Sequence, residues 1–154
     1  QGYSASGMFA NRFAALHPER VKAVAAGSPG GWPIAPVAEF EGVMLPYPIG
    51  IADLELLTGQ PFDEEAFRRV PHLIVMGSLD GNDSLDFSDG WDPARAAVVD
   101  QIFGDDPLSR WEDAKALYGL AGVSAEFVLV EGVGHNRRQL QPYTTEFFRE
   151  ILAQ

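Results

Sequence analysis

The chain has 154 residues, 46% of them apolar, which is enough for one domain with its own core and too hydrophobic for a disordered segment. With 22 acidic side chains against 11 basic ones, the net charge is −11, so the chain lacks the cationic surface that nucleic acid or an anionic membrane requires. There is no cysteine, which excludes disulfides and thiolate metal sites, and no apolar run is long enough to span a bilayer.

The chain opens on Gly2-Tyr3-Ser4-Ala5-Ser6-Gly7. This reads as a strand-to-helix turn of the G-x-S-x-G type, with Ser6 where the second glycine is usual and Gly7 directly after it. Small residues suit such a turn because the helix packs closely on the strand before it. Only Gln1 precedes Gly2, so the strand that should deliver Ser4 is expected to lie outside the chain, in an upstream segment or a second chain that completes the sheet. A helix is predicted over Ser4–Leu16, with Met8, Phe9, Phe13 and Leu16 on its packing face and Asn11 and Arg12 turned away. His17-Pro18 ends it, and His17 suits a helix C-terminus better than catalysis.

Val21–Ala26 predicts a buried parallel strand leaving through Gly27-Ser28-Pro29-Gly30-Gly31. Residues 32–59 carry four prolines, at 33, 36, 46 and 48, among apolar residues, and read as an insertion folded over a site. Trp32, Phe40 and Tyr47 are there either as substrate-facing rings or as packing anchors of a long loop. A short helix is expected over Ile51–Leu57, and a second one is capped by Asp63 and runs to Arg69. The clearest strand is His72–Met76, followed by the Gly77-Ser78-Leu79-Asp80-Gly81-Asn82-Asp83 turn. Helices are predicted from Asp92-Pro93 to Phe103, from Pro107 to Leu120 and from Pro142 to Leu152, with a third strand over Phe127–Val130 that exits through Glu131-Gly132-Val133-Gly134-His135.

Ser4, Asp80 and His135 therefore each follow a strand, in the chain order Ser, Asp, His. In an open parallel sheet chemistry collects at the carboxyl ends of the strands, which favours these residues and disfavours His72 at a strand start. A serine hydroxyl needs an adjacent base, which His135 supplies, and a carboxylate to fix the imidazole tautomer, which Asp80 or its rival Asp83 supplies. Ser6 is the competing nucleophile. Without cysteine or a His-x-x-x-His pair, no metal or other cofactor is expected.

The elbow, the Gly-x-x-Asp turn and the Gly-x-Gly-His turn, in that order, resemble the α/β-hydrolase superfamily from the elbow to the C-terminus. The Ser-Pro-Gly-Gly-Trp and Leu-Asp-Gly-Asn-Asp stretches are most similar to bacterial esterases related to polyhydroxyalkanoate depolymerases and feruloyl-type esterases. The resemblance implies an α/β chain, the C-terminal portion of a hydrolase fold in a single partial domain, 1–154, with 32–59 as a loop or cap. It implies a serine hydrolase cleaving small-molecule or polymeric esters through an acyl-enzyme, with Ser4, Asp80 and His135 as its triad. The Ala5 N–H would be one oxyanion donor, a loop upstream of the elbow would give the other, and Tyr3 and Trp32 would touch substrate. A prolyl-oligopeptidase-type peptidase, an acyltransferase and a non-catalytic fragment that needs a partner share these features, and the compartment stays open.

Overall fold

The protein is described from a computed structural model, which covers residues 1–88 and 90–153. Its centre is a four-stranded parallel sheet in the order β1-β2-β5-β6, formed by β1 (Gly2–Tyr3), β2 (Val24–Gly27), β5 (His72–Gly77) and β6 (Ala125–Val130). The remaining strands, β3 (Glu39–Phe40) and β4 (Val43–Met44), make a separate hairpin. The class is α/β, with helices on both faces of the sheet.

Strand β5 sets the register of its neighbours. Val24 and Ala125 both pair with His72, so β2 starts later and β6 earlier than the apolar runs suggest. A strand extends only as far as its partner offers hydrogen bonds. Gly2 and Tyr3 pair with Ala26 and Gly27, so two residues of the strand that delivers Ser4 do lie within the chain, which corrects the expectation that it is wholly absent.

Alternation along the strands divides the core. Val24, Ile74 and Met76 face α1 (Ala5–Leu16), α3 (Glu64–Arg69) and α5 (Trp111–Leu120), in one cluster with Ala14, Phe67 and Tyr118. Ala25, Leu73 and Val75 face α6 (Arg137–Leu152) through Leu140 and Phe147. Both faces are covered, as a parallel sheet requires.

The packing face of α1 differs from the one its aromatic residues predict. Gly7, Asn11, Ala14 and Ala15 are buried, whereas Phe9 is 67% exposed. Small residues win because they let the helix lie close against β2. Asn11, expected to point outward, donates to the Tyr118 hydroxyl at 2.8 Å and accepts from the Ile34 N–H at 2.8 Å, joining α1 to α5 and to the loop after β2. The buried amide thus has a backbone donor for its oxygen and a hydroxyl acceptor for its nitrogen, so its burial is tolerated.

Residues 32–59 hold the hairpin, whose turn residues Glu41 (φ 50°) and Gly42 (φ 80°) are both left-handed as a two-residue I′ turn demands, and α2 (Leu54–Thr58). The segment packs on α4 (Pro93–Phe103), where Trp32 stacks on Phe103 at 4.2 Å between ring centroids. Caps fix the helix starts. Asp63 accepts from Ala66 N–H, and Asp92 accepts from Ala94 and Arg95 N–H. Asp106 captures the Leu108 and Ser109 amides in a turn, which delays α5 to Trp111 instead of Pro107. Asn136 caps α6, so that helix begins at Arg137 and runs through Pro142 instead of starting there.

His72 is 1% exposed, sits between Phe67 and Tyr118 with neither ring nitrogen hydrogen-bonded, and has its pKa pushed down to about 4 by burial, against partial opposition from the Phe67 backbone. Between this folded value and the ordinary unfolded value near 6.5, the unfolded chain binds a proton that the folded chain does not. Stability from this site is therefore intact above about pH 6.5 and falls as the pH drops to about 4, by roughly 3 kcal/mol in all. Urea midpoints measured across this window should fall in the wild type, and the His72→Leu variant should lose that part of the pH dependence.

Candidate active site

Ser4 links β1 to α1 with φ 56° and ψ −127°, a conformation that an ordinary residue holds only when its surroundings enforce it. The enforcement is visible. Ser4 N–H donates to Gly27 O at 2.8 Å, and Met8 N–H closes on Ser4 O at 2.9 Å. A Cβ on Gly2 would lie 1.9 Å from Ser6 O, and one on Gly7 would lie 2.7 Å from Gly27 O. Gly2 and Gly7 are thus positions of this turn where backbone passes too close for a side chain. Ser6 departs from the usual pattern at no cost, because its hydroxyl accepts from Tyr3 N–H at 2.9 Å and donates to Tyr3 O at 2.8 Å. Those bonds stitch the turn and engage the hydroxyl of the rival nucleophile. Ala5 is the first residue of α1, so its N–H has no acceptor within the helix.

Asp80 follows β5 in a turn closed by its own N–H on Gly77 O at 3.1 Å. It is 1% exposed, and both carboxylate oxygens lie 3.0 Å from His135 Nδ1. One of them also accepts from Asn82 N–H at 3.0 Å. A carboxylate only accepts, so Nδ1 carries the proton and Nε2 is left as the basic nitrogen. The imidazole keeps 28% of its side-chain surface open.

The two turns meet because Gly77 permits it. Leu79 N–H donates to Val133 O, Ser78 N–H to Val130 O, and Gly132 N–H to Ser78 Oγ. A Cβ on Gly77 would stand 2.1 Å from Val133 O. No hydrogen bond joins Ser4 Oγ to His135 among the described residues. The elbow and the histidine instead touch through Tyr3, whose ring centroid is 4.7 Å from that of the imidazole. Ser4, Asp80 and His135 thus lie in turns that follow β1, β5 and β6, at the carboxyl ends of strands of one parallel sheet.

Asp83 has a different role. It is 9% exposed and pairs at 2.6 Å with Arg110, itself 1% exposed. Arg110 also reaches Asp100 at 2.6 Å and the carbonyls of Gly104 and Gly31. A Cβ on Gly31 would lie 2.1 Å from the Asp83 carboxylate, so the ion pair holds the loop after β2 against the acid turn. Trp32 is also placed differently from its expected substrate contact. It is 1% exposed and donates to Ile49 O at 2.9 Å, which makes it a packing anchor. Phe40 packs behind it on Phe103. His17 lies on the surface 3.8 Å from Glu19. Among the described residues, no group of histidines and carboxylates is arranged to hold a metal ion, and no helix is long and apolar enough to cross a membrane. Sequence reasoning missed Arg110 and Ser78, since a lone arginine or serine carries no spacing signal.

No protein-family model matches the chain, and no curated protein matches it. Among solved structures it is similar to poly(aspartic acid) hydrolase-1 from Sphingomonas sp. KT-1, with a TM-score of 0.59, 18% sequence identity and 94% of this chain covered. The likeness is one of fold, and it extends over 52% of that hydrolase's length.

Removing Arg110 should strand a buried carboxylate. Arg110→Met is expected to destabilise the fold by about 3–5 kcal/mol, and adding Asp83→Asn should recover part of the loss. Chemical denaturation of the two single variants and the double variant measures this. A cycle with no coupling would mean that the pair holds nothing in place.

Proposed function

We propose that the protein is a serine hydrolase of the α/β-hydrolase type, cleaving carboxylic esters through an acyl-enzyme. The reading is carried by one observation: a buried carboxylate grips His135 Nδ1 with both oxygens at 3.0 Å, at the sheet edge where Ser4 sits in a strained elbow. In this mechanism His135 Nε2 takes the Ser4 proton as Oγ attacks the ester carbonyl. The positive imidazole is held by Asp80, the Ala5 N–H faces the developing oxyanion, and the proton passes to the departing alcohol. Water then enters by the reverse path and frees the acid. The order of the three residues and the form of the elbow support the superfamily resemblance, and the likeness in fold to a solved hydrolase agrees with it. Residues 32–59, which pack partly on α4 and partly on the cluster beneath α1, are the proposed cap of a hydrolase domain.

A second reading is favoured by the comparison. The similar structure is named for hydrolysis of poly(aspartic acid), a polymer joined by amide bonds, so amide cleavage by the same three side chains is its rival. A peptidase of the prolyl-oligopeptidase type falls under the same rival.

A fluorophosphonate probe should label Ser4, and Ser4→Ala should abolish labelling while the fold persists. Asp80→Asn should slow turnover about 10³–10⁴-fold, because the wrong imidazole tautomer then faces Ser4. Intact, folded protein that stays unlabelled contradicts the serine mechanism. Turnover of a p-nitrophenyl ester against the matching anilide separates ester from amide specificity.

A further inference from the structure

We propose that Tyr3 is a positioning residue for His135, its ring wedged between the β2 backbone and the imidazole so that the imidazole is held against Asp80 with Nε2 turned toward Ser4. The proposal rests on the serine-hydrolase reading given above. The first support is contact: the Tyr3 and His135 ring centroids are 4.7 Å apart with the planes tilted by 45°. The second is close packing against β2. A Cβ on Gly27 would come within 3.1 Å of Tyr3 Cδ2, so the absence of a side chain in β2 makes the room that the ring fills.

The third support is the state of the phenol. Among the described residues, Tyr3 OH is buried with no hydrogen-bond partner, and so is the Ser28 hydroxyl, in a loop residue held at φ 43°. Burial raises the Tyr3 pKa, the Asp80 charge adds to the rise, and Ser28 opposes it. A phenol of this kind stays neutral near neutral pH, so Tyr3 meets His135 with an uncharged ring. The ring centroid is also within cation–π range of the imidazolium formed when His135 takes the Ser4 proton.

The test compares Tyr3→Met, which keeps bulk without the aromatic face, with Tyr3→Phe, which keeps the face without the hydroxyl. Ser4 labelling by a fluorophosphonate and hydrolysis of p-nitrophenyl acetate are read per folded molecule. Y3M should label and turn over about tenfold or more slowly with KM changed less than about twofold, while Y3F should stay within about threefold of wild type. Loss of folding alone would lower the amount of folded protein and leave the rate per folded molecule intact. A wild-type rate in Y3M, or a Y3F rate as slow as that of Y3M, overturns the proposal. Should Y3M not fold, Y3F still decides, since a tenfold loss there refutes the role of the ring. Wild-type protein that never labels removes the hydrolase reading together with this one, whereas labelled wild type with an unaffected Y3M removes this one alone.

Discussion

A carboxylate with 1% of its surface open to water cannot stay charged without partners, and Asp80 has two: the imidazole of His135 and the amide of Asn82. The rest of the site follows from that requirement. The acid turn must hold its aspartate inward, the histidine turn must come alongside, and the exits of β5 and β6 must touch. Gly77 makes the touching possible, because the Val133 carbonyl occupies the space where any other residue would place its Cβ. The sheet contributes direction, since parallel strands deliver both turns and the elbow to one edge.

Two acidic residues in one short turn take opposite parts. Asp80 faces the imidazole, and Asp83 faces Arg110 and caps the Leu85 amide. The arginine donates from Nη1 to both the acid turn and the loop after β2, and from Nε and Nη2 to Gly104 and Asp100 at the end of α4. A planar fork with several fixed donors suits this better than a lysine ammonium could. The imidazole is thus backed by one anion while the neighbouring anion is neutralised within the core.

The elements that the sequence made legible are those with local causes. Asp63 and Asp92 announce their helices because a carboxylate cap acts within one turn. The apolar run from His72 reads as a buried strand because both of its faces are covered. The order of Ser4, Asp80 and His135 was legible because each follows a strand. The misreadings on α1 and at Trp32 have non-local causes, while those at α6 and the hairpin turn come from local signals of unusual form. On α1 the large rings suggested the buried face, but proximity to β2 selected Gly7, Ala14 and the amide of Asn11 instead. Pro142 suggested a helix start, although the Asn136 cap had already begun the helix. Trp32 sits next to a flexible-looking glycine pair, yet its partner Phe103 lies far along the chain and draws it inside. The hairpin turn of Glu41 and Gly42 lacks the Asn-Gly signal and adopts the same geometry without it.

The contact between Asp80 and His135 spans 55 residues of chain, and the bond between Asn11 and Tyr118 spans 107. Closing a loop of that length costs entropy before its contacts repay it. The register of β6 against β5 offsets that cost by setting the two turns side by side, so a slip of one residue between these strands would part the imidazole from its carboxylate.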